Sequence, residues 1–225
     1  MPLNRTQIEA LQHSIHTYSF PLDYYDHALP KQQNPQVASS IQQLESIIQT
    51  QLRSTVPTDI EQGLGNIIYW GNATAGYRDS RFEKFNSLIG SFAPYASFSG
   101  LVSTGHPSLA ALKRLGFPSY SNISFVSKIL MFLNPQEYCV LDLQICKLKK
   151  QARPISRALD RLTLYPTSIP ITQANEQVYD LWRSECRCIS STYYGGRYRV
   201  ADVERGFFQL IKNDLAQAHS IYDDF

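Results

Sequence analysis

Apolar residues recur along most of this chain at spacings of three and four, separated by short polar breaks, which is the pattern of helices that each bury one face. Asn4 or Thr6 can cap a first helix through Tyr18, with Ile8, Leu11 and Ile15 on one side. The stretch from Phe20 to Pro35, rich in Pro, Asp and Tyr, predicts a loop. From Val37 the positions Val37, Ile41, Leu44, Ile47, Ile48 and Leu52 predict a second helix with one stripe on the core. Thr58 or Asp59 opens the next, containing Leu64, Ile67, Ile68 and Trp70, and Asp79 caps another with Phe82, Phe85 and Leu88. Ala93 to Gly105 mixes Ser, Gly and aromatics without period and predicts an irregular loop. Pro107 then starts a helix through Leu115, which Gly116 ends.

The stretch from Asn122 to Lys150 differs from the rest. Between Ser124 and Leu133 everything is apolar except Ser124, Ser127 and Lys128, so the pattern predicts a helix buried on nearly all sides. A lysine there is costly unless paired or functional, because desolvation works against its charge. Asn134-Pro135 stops the helix, Tyr138 to Leu141 is a short extended apolar run, and Asp142 stands where an N-cap belongs. The helix expected after it is basic, with Lys147, Lys149 and Lys150, then Arg153, Arg157 and Arg161, and Asp160 as the one counter-charge in that run. A helix around Ile155–Leu164, a Pro166–Pro170 loop, a long helix from Thr172 to about Thr192 and a last one from about Ala201 to Ala218 complete the pattern. With few credible strands and no repeats, the expected class is all-α; 225 residues at 43% hydrophobic suffice for one large domain or two intimate subdomains.

A helix bearing Ser127-Lys128, then Leu133-Asn134-Pro135, a short apolar segment and Asp142 opening the next helix resembles the helix-hairpin-helix DNA glycosylases, above all the 8-oxoguanine DNA glycosylase-like branch. The resemblance is specific over roughly Ala110 to Arg153 and weaker at Leu64–Trp70 and Arg199–Arg205. It implies a glycosylase-like bundle of two closely packed helical subdomains. It also implies one functional unit over 1–225, with the hairpin and catalytic segment at about 107–153 and flanking helices in 1–106 and 154–225. Lys128 corresponds to the nucleophile and Asp142 to the catalytic carboxylate. The sequence departs from the family at the hairpin, where a Gly-hydrophobic-Gly turn usually holds a DNA phosphate. Here that place reads Ser124-Phe125-Val126, and Gly116 with Phe117–Asn122 must supply the bend.

The chemistry implied is excision of an extruded base. A glycosylase flips its target out of the stack at a cost of a few kcal/mol. A neutral amine can attack C1′, displace the base and form a Schiff base, after which β-elimination nicks the strand; Asp142 would orient the amine and stabilise charge on the sugar. The substrate class is duplex DNA with an oxidised or otherwise modified base, 8-oxoguanine first, handled by a monomer without metal or organic cofactor. Candidate DNA contacts are Ser124, Ser127, Lys147, Lys149, Lys150, Arg153 and Arg197, the last in the Tyr193–Arg199 segment, whose aromatics could stack and whose cations could meet phosphate. Phe125, Tyr77, Trp70 and Trp182 are available either to stack on a base or to fill the core.

Charge and composition add little against this. The net charge of +2 divides unevenly: residues 1–62 hold three basic side chains (Arg5, Lys31, Arg53) against six acids, −3, leaving +5 for the rest. That suits a local nucleic-acid contact. No apolar run of membrane-spanning length and no signal peptide is read, so the expectation is a cytoplasmic protein, nucleoid-associated if prokaryotic. The four cysteines and the histidines His13, His16, His27, His106 and His219 show no metal-ligand spacing and no iron–sulfur loop. Two other classes fit the same residues: a non-catalytic helix-hairpin-helix DNA-binding module, and a helical interaction protein in which Lys128 and Asp142 form a structural ion pair.

Overall fold

A computed structural model describes residues 2–90, 94–105, 107–153 and 155–225. Among them the protein is all-α: α1 Arg5–His16, α2 Ile41–Leu52, α3 Pro57–Gly71, α4 Arg78–Leu88, α5 Tyr95–Ser103, α6 Leu109–Arg114, α7 Ile123–Leu133, α8 Gln173–Tyr194, α9 Val200–Asn213 and α10 Leu215–Asp224. The extended residues include one short antiparallel ladder, β1 Asp23–Tyr24 on β2 Gln36–Val37. The chain divides into two compact units, 20–133 and 1–19 with 134–225. The division falls after Leu133, inside the segment 107–153 expected to be one hairpin-and-catalytic stretch. No described helix is long and apolar enough to cross a membrane.

In the unit of residues 20–133, α3 is the central element, with Ile60 and every residue from Gly63 to Trp70 buried. Three glycines let neighbours come close. A Cβ on Gly63 would lie 3.0 Å from Gln51 on α2, one on Gly65 3.1 Å from Phe82 on α4, and one on Gly71 2.9 Å from Phe125 on α7. Asn66, fully buried, accepts from Tyr25 N and donates to Tyr25 O and Gln51 Oε1, which fastens the 20–35 loop to α3. Such bonds keep a buried amide satisfied. Tyr120 donates to Leu64 O at 2.6 Å, and burial holds its phenol well above the usual range. The end of α7 is capped from α2, since Gln49 Nε2 donates to Leu133 O at 2.8 Å and an Arg53 nitrogen to the same oxygen at 2.9 Å.

In the other unit, Asn4 forms a reciprocal capping box with Gln7 at the start of α1. Gly206 on α9 receives α1 so closely that a Cβ there would stand 2.6 Å from Ile15 Cγ1. Trp182, Phe207 and Tyr222 pack their rings at 5.7–5.8 Å in the core. Asn175, with no exposed surface, binds Thr163 N, Thr163 O and Pro170 O and so holds the Leu162–Ile171 loop against α8. Glu185 accepts from the Tyr222 hydroxyl and from Ala158 N, and burial raises its pKa.

Several expected elements change. Val37 belongs to β2 and is 70% exposed, so the second helix begins only at Ile41, capped by Ser40. The expected loop to Gly105 contains α5, anchored by Tyr95 and Phe98; Ala93 lies outside the described residues, as does His106. The last helix is two, because Asp214 leaves the helical region and its side chain caps α10. The helix expected around Ile155–Leu164 is a 3-10 turn at Ala158–Arg161.

Candidate functional site

Asn122 starts α7: its carbonyl accepts from Val126 N, and its side chain accepts from Phe125 N at 3.4 Å. Residues 126–133 are all buried, Ser127 and Lys128 with their apolar neighbours. Lys128 sits in the middle of this helix and is 5% exposed. Its Nζ donates to Ser124 O at 3.0 Å and lies 5.2 Å from the Phe125 ring centroid. The stem runs past the end of α3, where a Cβ on Gly71 would be 3.2 Å from both Cδ and Cε of Lys128. Ser127 is fully buried, whereas Ser124 and Phe125 are half-buried.

The bend before α7 is made without a Gly-hydrophobic-Gly turn. Gly116 and Ser119 both adopt left-handed backbone, φ 73° and 70°, and Tyr120 N returns to Phe117 O. Only Gly takes that conformation freely, so Ser119 is strained. The turn opens on a cleft of about 120 Å³ lined by Ile68, Asn72, Arg81, Ser119, Ser121 and Phe125. Its hydroxyls, amide and guanidinium are groups that suit an anion. Sequence reasoning missed Asn72 and Arg81, which come from α3's end and α4 and carry no local signal of their own.

In the other unit, Asn134-Pro135 forms the expected break: Glu137 N and Tyr138 N both return to Asn134 O. The run Tyr138–Leu141 is extended and buried, and α8 takes up its polar groups. Tyr179 donates to Cys139 O at 2.8 Å, Trp182 Nε1 to Val140 O at 3.4 Å and Arg183 to Glu137 O at 2.8 Å. Asp142 follows, half-buried, with Oδ1 accepting from Gln144 N at 3.0 Å and Ile145 N at 3.2 Å. It therefore braces the turn that leads into a single 3-10 element, Ile145–Leu148, whose N-cap is Gln144, and the expected basic helix is absent there. Cys146, in this turn, has its thiol pushed up to about 12, chiefly by burial and then by Asp142, so it stays protonated and inert near neutrality.

The basic run needs correction. Asp160 is not its only counter-charge, because the fold brings Asp223 to it. Arg153 has a side chain 2% exposed, ion-paired to Asp160 and Asp223 and stacked 4.8 Å over Tyr222. Lys150 pairs with the same Asp223, and Lys149 donates to the carbonyls of Asp160 and Leu162. Arg157 donates to Tyr222 O and Asp223 O and lies 3.8 Å over the Phe225 ring. Lys149, Lys150 and Arg153 thus spend their donors inside the unit, while Lys147 and Arg161 are exposed.

The Tyr193–Arg199 segment is likewise turned inward. Tyr193 accepts from Leu3 N, Tyr194 donates to Ile8 O and Tyr198 meets His16 Nε2, so the aromatics hold α1. Arg199 pairs with Asp202, whose carboxyl stays below its usual pKa: burial acts to raise it, and the hydrogen bonds and charge of Arg199 with the charge of Arg205 outweigh that. Arg197 is exposed on the turn after Gly195, which ends α8 in left-handed backbone. Trp70 and Trp182 are core residues, 3% and 0% exposed, while Tyr77 is 55% exposed. Among the described residues no group of three or more His, Cys, Asp or Glu could hold a metal ion. Lys128 stands on the final helix of one unit, and Asp142 nine residues into the segment that begins the larger part of the other. No family model, no curated protein and no solved structure matches the chain.

Proposed function

We propose that the chain is a DNA glycosylase with AP lyase activity, which extrudes an oxidised or otherwise modified base, 8-oxoguanine first among them, and excises it. The observation that carries this reading is Lys128, an amine 5% exposed in a helix apolar but for Ser124 and Ser127, with Gly71 leaving room for its stem. A buried amine is retained against its desolvation cost where it is paired or where its chemistry is used, and in this reading both hold for Lys128. In this reading Nζ attacks C1′ of the extruded nucleoside, and the bond from C1′ to the base breaks with its electron pair leaving on the base. Loss of a proton from nitrogen and opening of the sugar give the Schiff base. β-Elimination then breaks the C3′–O bond. Asp142, its Oδ1 fixed by two backbone N–H groups, is the carboxylate that steadies positive charge on the sugar. The cleft at the start of α7 would take a backbone phosphate in place of the missing glycine pair. In the other unit, Lys147 and Arg197 are exposed cations available to phosphate.

A second reading, a helical interaction protein, is favoured by one observation: Lys149, Lys150, Arg153 and Arg157 serve the fold and not a free surface. Asp142→Asn separates the two, because the amide keeps an oxygen for capping and loses the charge. An enzyme keeps duplex binding and loses turnover on modified-base duplexes. An interaction protein binds no duplex, and the substitution lowers its thermal midpoint instead.

A further inference from the structure

A second hollow of about 300 Å³ lies where the β1–β2 hairpin meets α3 and α4. Its walls are aromatic: Tyr25 and Phe82 have ring centroids 4.9 Å apart, and Tyr69 lies edge-on to Phe82 at 5.2 Å. Tyr69 and Phe82 are each 4% exposed, and burial raises the Tyr69 pKa. A hollow of this size stands at the lower end of small-molecule sites and fits a one- or two-ring ligand.

The charges at its rim are already spoken for. Arg78 lies 4.2 Å over the Tyr69 ring and pairs with Asp23 at 2.7 Å and Asp79 at 3.4 Å. Lys31 pairs with Glu83 at 2.9 Å. Two cations thus face three carboxylates, which disfavours a phosphate or carboxylate ligand, and Arg78 fills the ring face that an organic cation would seek. Asn34 is also committed, accepting from Asp26 N at 2.8 Å and donating to Asp26 O at 2.9 Å. Asn86 is exposed in the lining, and no hydrogen bond among the described residues engages its amide. Aromatic walls with one donor–acceptor amide match a flat ring that stacks and presents a complementary edge.

We propose that this hollow binds a neutral planar heteroaromatic ring with a hydrogen-bonding edge, of the nucleobase or nicotinamide kind. Tyr25 and Phe82 hold the ring, and Asn86 reads the edge. The proposal is independent of the glycosylase reading. It is tested by titrating the full chain with adenine, guanine, cytosine, nicotinamide and tetramethylammonium by calorimetry, using wild type, Asn86→Ala and Lys128→Gln. Asn86 is exposed, so its replacement leaves folding intact. The expected result is that at least one heterocycle binds, roughly tenfold or more weakly in Asn86→Ala and unchanged in Lys128→Gln. Three results overturn the proposal: no heterocycle bound at its solubility limit, binding indifferent to Asn86→Ala, or tetramethylammonium bound better than every heterocycle.

Discussion

Gly71→Ala tests whether the end of α3 sets the position of the Lys128 amine. The new Cβ would lie 2.9 Å from Phe125 Cε1 and 3.2 Å from Cδ and Cε of Lys128. The ring must move, and the lysine stem must yield by a few tenths of an ångström. Overfilling a packed site costs ~1–3 kcal/mol. Alanine in place of glycine within a helix recovers up to ~1 kcal/mol, less at the last helical position. The net expectation is a loss of ~1 kcal/mol, or a thermal midpoint lower by ~2–4 °C in a chain of this size. Trapping should slow as well, but by less than the ~10²-fold that a ~1 Å misplacement of a reacting group can cost, because the stem moves only a few tenths of an ångström. The assay pairs thermal melts with single-turnover borohydride trapping on an abasic duplex. Gly76→Ala, with nothing within 4 Å of the new Cβ, is the control. A Gly71→Ala protein that melts no lower than wild type and traps DNA at the same rate would refute the packing argument.

Three further outcomes are expected. Among the described residues, Arg153→Ala leaves Asp223 with Lys150 alone and Asp160 with only its backbone N–H donors, and should cost ~3 kcal/mol, the low end for a broken buried pair, in urea unfolding; an unchanged midpoint contradicts the internal role of that guanidinium. Lys147→Ala should leave stability within ~0.5 kcal/mol while lowering the slope of log affinity against log salt by ~1 in duplex titrations; an unaltered slope removes Lys147 from the DNA surface. Burial lowers the His27 pKa from 6.5 against the opposing charges of Glu61 and Asp26, and its buried Nε2 makes no hydrogen bond among the described residues. The native state therefore protonates at lower pH than the unfolded chain, so this contribution to stability is whole above the ordinary value and is lost as pH falls below it. His219 is shifted the same way. His27→Asn should flatten only part of the acid-side decline in urea midpoint; a decline as steep as wild type would show that His27 has no share in it.

What could be read from the chain follows from which forces are local. The burial of α7, the break at Asn134-Pro135, the cap at Asn4 and the turn-opening place of Asp142 are consequences of neighbouring residues, and each appears in the structure. Two-residue strands have no period to detect, so the spacing alone groups Val37 with the helix that Ser40 starts. The three glycines of α3 look like poor helix formers in sequence, yet each receives a different neighbour. The pairing of the basic run is not legible locally, because the carboxylate that meets Arg153 and Lys150, Asp223, lies some seventy residues downstream. Pairing at that separation is a property of the fold, and no spacing rule reaches it. Arg81 and Asn72 joined the α7 cleft for the same reason.

The most direct test of the central proposal is borohydride trapping of wild type and Lys128→Gln on duplexes carrying 8-oxoguanine, uracil or an abasic site. The expected result is a covalent protein–DNA adduct with wild type, strongest on the preferred substrate and absent with Lys128→Gln. An adduct that persists in Lys128→Gln, or no adduct from wild type on any duplex that it binds, would contradict the assignment of Lys128 as the nucleophile.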